Sequence, residues 1–296
     1  MSEQRCGFVA VVGAPNAGKS TLVNRLVGQK VSIVSPKVQT TRVRLMGIVV
    51  EGAVQMILID TPGIFRPRGK FDEAMVKSAW EGVRGTNIIC LLVDARAGMT
   101  EEVEDLLTAL EKETTPKFLI INKVDVARKD SLLLLTQRLH RRGDFFETFM
   151  ISAETGDGVD DLRGTLIAAM PKEHWHFPED QVSDISTRLL AAEITREKLF
   201  RQLHQELPYA CAVETDSWEE NDRGISIHQV VYVERDGQKG IVLGKGGSRI
   251  KKIGTDARVE LEDMLGTRVH LFLTVKVKPD WSQQTDVLRA LGLQAD

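Results

Sequence analysis

Gly13-Ala14-Pro15-Asn16-Ala17-Gly18-Lys19-Ser20 decides the fold of this chain. The stretch matches G-x-x-x-x-G-K-S without a gap. Before it, Phe8–Val12 is an apolar run of strand length, and after it Thr21-Leu22-Val23-Asn24-Arg25-Leu26 reads as a helix. Strand, glycine loop and helix in that order make a phosphate cradle. N–H groups of the loop and of the helix start, from Gly13 to Thr21, point toward a β-phosphate. Lys19 brings positive charge to the β/γ oxygens, and the Ser20 hydroxyl suits Mg²⁺.

Working outward, short apolar runs alternate with helical patterns as far as Met170. The runs are Phe8–Val12, Leu45–Val50, Met56–Ile59, Ile88–Val93, Phe118–Ile121 and Phe149–Ile151. This alternation predicts an α/β domain, a mostly parallel sheet with helices on both faces. Glu51-Gly52 predicts one hairpin, and so one antiparallel edge.

Three further motifs sit at strand ends. In Asp60-Thr61-Pro62-Gly63 the acid suits Mg²⁺ and the Gly63 N–H suits a γ-phosphate. In Asn122-Lys123-Val124-Asp125, Asp125 can accept two hydrogen bonds from guanine N1–H and its amino group. Adenine lacks both donors, so the carboxylate selects guanine. Lys123 can lay its stem over the base, and Asn122 can tie this loop to Gly13–Ser20. In Ser152-Ala153-Glu154 the Ala153 N–H is placed for guanine O6. Between the first two motifs, Val38-Gln39-Thr40-Thr41-Arg42 supplies a threonine to a switch that senses the γ-phosphate. Thr41 is the choice and Thr40 the alternative, with Lys37, Arg42 and Arg44 read as solvated charges. Ser20, Thr41 and Asp60 form the candidate metal set, and Lys19, Thr41 and Gly63 the candidate catalytic groups. Ile64 stands where many GTPases carry a water-orienting glutamine, which predicts slow hydrolysis, about 10⁻⁴–10⁻² s⁻¹ or below. Asn16 has two readings, a loop hydrogen bond or a potassium ligand.

The chain has 296 residues, long for a single domain. Boundaries are expected at 1–172 for a GTPase domain, 173–183 for a linker and 184–296 for a second domain. The linker contains Pro171 to Pro178, whose His174 and His176 have no third metal ligand nearby. The second domain is expected to run helix (Asp184 to Gln205, stopped by Pro208), strand (Tyr209–Thr215), strand (Ile225–Glu234), glycine-rich turn (Gly240 to Gly247), helix (Lys251 to Leu265), strand (Val269–Val277) and helix (Trp281 to Leu291). Val259, Leu261 and Leu265 are expected to face inward. Gly244-Lys245-Gly246-Gly247 is a G-x-x-G loop of the kind that clamps about four single-stranded nucleotides. Lys245, Arg249, Lys251 and Lys252 would meet phosphates. Acidic residues nevertheless outnumber basic ones from Phe177 onward, so no general basic field supports this. Net charge is −3, and the scattered Cys6, Cys90 and Cys211 fit a reducing compartment. A soluble cytoplasmic protein is the expectation, with monomer the default.

The chain resembles the Era family, bacterial Ras-like GTPases with a C-terminal type II KH domain. The resemblance rests on Gly13–Ser20, Gln39-Thr40-Thr41-Arg42, Asp60–Gly63, Asn122–Asp125, Ser152-Ala153-Glu154-Thr155-Gly156, Phe177-Pro178-Glu179-Asp180, Glu206-Leu207-Pro208-Tyr209 and Gly244–Gly247. It implies a GTP-dependent assembly factor for the small ribosomal subunit, whose KH domain binds the single-stranded 3′ end of the small-subunit ribosomal RNA. It also implies a cytoplasmic protein with some association at the inner membrane face, for which the sequence offers no amphipathic basic helix. Two other readings compete: an RNA-binding module whose nucleotide is structural, and a membrane-associated signalling GTPase with an incidental KH-like domain.

Overall fold

The computed structural model describes residues 3–37, 40–64, 67, 70–285, 287 and 291–292. The chain divides into two compact units, Met1–Asp184 and Ile185–Asp296.

The first unit alternates β1 (Arg5–Gly13), α1 (Lys19–Val27), β2 (Leu45–Glu51), β3 (Val54–Asp60), α2 (Lys70–Val83), β4 (Ile88–Asp94), α3 (Glu101–Leu110), β5 (Lys117–Asn122), α4 (Lys129–Arg142), β6 (Glu147–Ile151) and α5 (Val159–Ala168). The sheet order is β2-β3-β1-β4-β5-β6. Only β2–β3 is antiparallel, joined by the expected tight turn at Gly52, whose φ is +58°. Side chains of β1 alternate between two cores. Val9 and Val11 join Leu22 and Leu26 of α1 and Leu162 and Leu166 of α5. Ala10 and Val12 join Ala79 of α2, Leu106 of α3 and Leu139 of α4. Burial on both faces is why these strands read as continuous apolar runs. The register sets Val11 beside Asp60, Asp94 beside Asn122, and Asn122 beside Ile151. Every motif of the first unit therefore ends at one edge of the sheet.

The stretch expected as a linker is bonded along this unit. Cys6 N–H donates to Pro171 O (3.0 Å), and the Trp175 indole N–H donates to Ala53 O (3.2 Å). The Gln55 side chain, fully buried in β3, accepts from the His176 and Phe177 N–H groups (2.9 and 3.0 Å) and donates to Phe177 O (2.8 Å). Further on, Ile48 N–H donates to Val182 O, and the Asp184 carboxylate accepts from Met46 N–H. Residues 171–184 thus form a strap across β3 and β2.

The second unit comprises α6 (Thr187–Gln202), β7 (Ala212–Asn221), β8 (Gly224–Val233), α7 (Asp236–Leu243), α8 (Ser248–Leu265) and β9 (Val269–Val277). The sheet runs β7-β8-β9, with β7–β8 antiparallel and β8–β9 parallel. Four expectations are corrected. Helix α7 replaces the first half of the expected glycine-rich turn. Its Gly237 and Gly240 hide it from propensity, yet Gln238 accepts from the Glu234 and Arg235 N–H groups and Val242 is fully buried. Helix α6 ends at Gln202, well before Pro208. Val259 is 54% exposed, because the inward stripe of α8 is Ile253, Ala257 and Leu261. The expected final helix is a single 3-10 turn at Trp281–Gln283, with part of its remainder outside the described residues. Trp281 is buried and donates to Ala210 O (2.9 Å). Among the described residues no helix is long and apolar enough to cross a membrane.

Candidate nucleotide site and nucleic-acid face

The Gly13–Ser20 loop needs its glycines for space. A Cβ on Gly13 would stand 2.5 Å from Leu92 O. Gly18 has φ +101°, and a Cβ there would stand 2.3 Å from Asn122 Nδ2. Only glycine adopts that backbone without strain. The loop delivers the chain into α1, whose first N–H groups face the cavity.

Lys19 is buried, and its ammonium donates to Gly13 O (3.1 Å) and Ala14 O (3.0 Å). Burial pulls its pKa down to about 8, Asp60 opposes that shift, and Lys123 adds to it. An anion placed between the loop and Lys19 would restore the charged form.

Asp60 is the hub of the site. Its Oδ2 accepts from Ser20 Oγ and from Ser32 Oγ, both at 2.7 Å. Ser20 Oγ lies 2.7 Å from Thr41 Oγ1. Its Oδ1 is buried without a hydrogen-bond partner. Burial pushes the carboxyl pKa up, while the Ser20 and Ser32 hydrogen bonds and the Lys19 charge oppose it. A buried carboxylate oxygen lacking a donor, ringed by two hydroxyls, fits a hard divalent cation. Ser20, Thr41 and Asp60 thus stand together. The Thr40 hydroxyl is turned away, donating to Lys37 O (2.7 Å). Val38 and Gln39 lie outside the described residues.

The Thr61 hydroxyl donates to Val11 O (2.8 Å), and Pro62 is buried. Gly63 abuts Pro15, where an added Cβ would stand 3.1 Å from backbone. Ile64 packs into the core with Ala79 and Val83 rather than lining the cavity. Arg42, expected to be solvated, is 3% exposed, and its guanidinium lies 5.2 Å from the Phe71 ring centroid.

Asn122 joins two loops: Nδ2 donates to Ala17 O (2.8 Å), and Oδ1 accepts from the Ala153 N–H (2.9 Å). The N–H expected to meet guanine O6 is therefore held by Asn122. Lys123 has φ +65° and donates to Asn16 O and Asp94 Oδ2, both 2.6 Å. Asn16 Nδ2 donates to Pro36 O (3.1 Å), which is the loop hydrogen bond of its two readings. Asp125 is exposed on the 3-10 turn Val124–Val126. Ser152 is buried, and its hydroxyl accepts from Thr155 N–H. Together these loops border a cavity of about 440 Å³ whose wall includes Asn16, Lys19, Ser20, Thr21, Thr41 and Gly63.

Three contributors escaped the sequence reading. Arg25 on α1 donates through Nε to Ala153 O (2.6 Å) and through Nη2 to Glu154 O. Asn24 accepts from the Val31 and Ser32 N–H groups (2.9 Å each), and so aims Ser32 at Asp60. None lies in a motif.

In the second unit, Gly244, Gly246 and Gly247 have φ of +73°, +60° and +77°. A Cβ on Gly246 would meet nothing within 4 Å, so its surroundings are open. Lys245 and Lys251 are exposed. Arg249 and Lys252 are engaged within the unit: Arg249 donates to Ile241 O (2.6 Å), and Lys252 pairs with Asp256 (3.1 Å). Arg249 therefore braces the end of α7 against the start of α8.

Comparison with known proteins agrees with this geometry. A family model described as 50S ribosome-binding GTPase matches residues 8–123, and a KH domain model matches 206–282. GTPase Era of Afipia carboxidovorans is 57% identical over 98% of this chain and 94% of its own length. GTPase Era of Rhizobium meliloti is 53% identical over 98% and 93%. A crystal structure of Era with MgGDPNP and nucleotides 1506–1542 of 16S ribosomal RNA superposes at TM-score 0.93. It is 37% identical and covers 98% of this chain and 99% of its own. An Aquifex aeolicus Era variant bound to GDP and aluminium fluoride fits equally well, with the same identity and coverage.

Proposed function

The chain belongs to the Era family of GTPases, and from that premise we propose that it binds GTP and GDP at the sheet edge, hydrolyses GTP slowly, and grips the single-stranded 3′ end of small-subunit ribosomal RNA during assembly of that subunit. The observation that carries the reading is the convergence of Ser20, Thr41 and Asp60 around the unpartnered Asp60 Oδ1, beside Lys19. Mg²⁺ held there supplies positive charge to the β- and γ-phosphates. Ser20 and Thr41 offer hydroxyl oxygens to it, and Asp60 a carboxylate. Lys19 exchanges two backbone carbonyls for phosphate oxygens. The Gly63 N–H donates to the γ-phosphate, so Thr41 and Gly63 read the difference between GTP and GDP. Asp125 takes the guanine edge, and Lys123 covers the ring. Asn122 holds Ala17 and Ala153 at a fixed spacing around both, with Ser152 and Glu154 completing the base loop. Asn16 Oδ1 is the atom offered to a potassium ion, which would supply the charge an arginine finger supplies elsewhere.

In the second unit Gly244 to Gly247 admit the RNA backbone and Lys245 and Lys251 meet phosphates, while Arg249 and Lys252 hold the loop's shape. The protein acts as a monomer in the cytoplasm, with a peripheral membrane contact as a secondary association.

The test is GTP turnover with and without an RNA copying that 3′ end, in potassium and in sodium buffer. The expected result is turnover selective for GTP over ATP, raised by RNA and by potassium, with the RNA effect lost in Gly246→Asp. Turnover indifferent to RNA would refute the coupling. Turnover equal in the two salts would remove potassium.

A further inference from the structure

The sheet of the second unit has a face that the GTPase and G-x-x-G readings leave unused. Ile225, Ile227, Val231 and Val233 of β8, with Val269, Leu271, Leu273 and Val275 of β9, turn toward α6 and α8. Strand alternation therefore sends Ser226, His228, Val230 and Tyr232, with His270, Phe272, Thr274 and Lys276, to the opposite face. Register pairs them in rows, His228 with Phe272 and Tyr232 with Lys276.

The His228 and Phe272 rings are stacked, with centroids 4.6 Å apart and planes 17° from parallel. Phe272 remains 51% exposed. Cations flank it along the same strand, His270 on one side and Lys276 on the other, both exposed. Lys278 lies over the Tyr232 ring at 5.4 Å. Across the sheet on β7 the character reverses: Glu214 accepts from the Tyr232 hydroxyl (2.9 Å), and Glu219 pairs with Ser226. The aromatic and cationic groups thus follow β9, the outer strand of the sheet, and anionic groups fill the far side.

We propose that this β9 face is a second RNA subsite, on which bases of a single strand leaving the G-x-x-G loop stack against Phe272 and His228 while Lys276 and His270 meet their phosphates. The inference rests on the RNA reading of that loop. An exposed flat ring beside cations is the arrangement by which proteins hold single strands without reading sequence. Continuity comes from α7, which packs against β9 and ends at Gly244, so a strand gripped at the loop lies beside the β9 edge. A peptide partner would be served poorly by a face whose only large exposed apolar side chain among the described residues of β9 is Phe272.

The experiment measures fluorescence anisotropy of two labelled RNAs copying the 3′ end of small-subunit ribosomal RNA, one of about four nucleotides and one of about twelve. Native protein is expected to bind the longer RNA more tightly. Phe272→Ala should weaken the longer RNA about tenfold, the worth of one lost stack, and leave the shorter RNA unchanged. Phe272→Tyr, which keeps a ring, should restore the difference. Ultraviolet cross-linking of the longer RNA should map to the peptide containing Phe272. Equal binding of the longer RNA by native protein and Phe272→Ala overturns the subsite. If Gly246→Asp still abolishes binding of the short RNA, the loop reading survives that result. If the native protein binds neither RNA, both readings fall together. A native dimer in sedimentation velocity that Phe272→Ala dissociates would make this face a contact between copies, and would also overturn the proposal.

Discussion

Replacing Asn122 by alanine should loosen the nucleotide site by a predictable amount. The side chain is 1% exposed and makes two hydrogen bonds, to Ala17 O and from the Ala153 N–H. Alanine leaves one backbone acceptor and one backbone donor buried without partners. Each costs about 1–3 kcal/mol when dry, and water entering the vacated space recovers part of that. A net loss of about 2–3 kcal/mol follows. For a unit of this size that lowers the melting temperature by roughly 5–10 °C. The loops of Gly13–Ser20 and Ser152–Gly156 then have to be ordered by the nucleotide itself. GDP affinity should fall about thirtyfold if some 2 kcal/mol of that ordering moves to the binding step. Fluorescent GDP titration and a thermal melt without nucleotide measure the two quantities separately. Asn122→Asp keeps an oxygen for the Ala153 N–H but turns a carboxylate toward Ala17 O, so it should be no milder. The reasoning is refuted if Asn122→Ala melts within about 1 °C of the native protein and binds GDP within about twofold of it.

Two other substitutions test neighbouring parts of the argument. Thr41→Ala should reduce the Mg²⁺-dependent preference for a GTP analogue over GDP by about tenfold while Thr40→Ala changes it less than about twofold, and the reverse order would exchange their roles. Gln55→Leu keeps the volume but removes the bonds to His176 and Phe177, so amide exchange at those two residues should rise about thirtyfold, the equivalent of roughly 2 kcal/mol of local stability; unchanged exchange would show that the strap is held by something else.

The first unit was legible because its chemistry is written in contiguous strings. Gly13–Ser20, Asp60–Gly63 and Asn122–Asp125 each end a strand and begin a loop, so local pattern and spatial role coincide. The apolar runs gave away the doubly covered sheet for the same reason. What stayed hidden acts across long sequence separation. Arg25 reaches Ala153 and Glu154, Ser32 reaches Asp60, and Gln55 reaches His176, and a lone polar residue carries no mark of such a partner. Thr40 and Thr41 are adjacent and chemically alike, so only geometry separates them. In the second unit, Gly237 and Gly240 disguised α7, whose stability comes from the Gln238 cap and buried Val242. Arg249 and Lys252 looked like surface cations because sequence shows charge and not what the charge already touches.

The strap has a consequence for where the first unit ends. An outer strand with bare N–H and C=O groups invites pairing with another chain, and β2 is such a strand. Val182 and Ser183 pair with it at Ile48 and Gly47, and Asp184 takes the Met46 N–H. A polypeptide stopped near Met170, where the helical pattern of the GTPase ends, would bare that strand along with the buried Gln55 amide. One carried through Asp184 keeps both covered. The thirteen or so residues that read as mere connection are, by this account, the protein's own guard against self-association along β2.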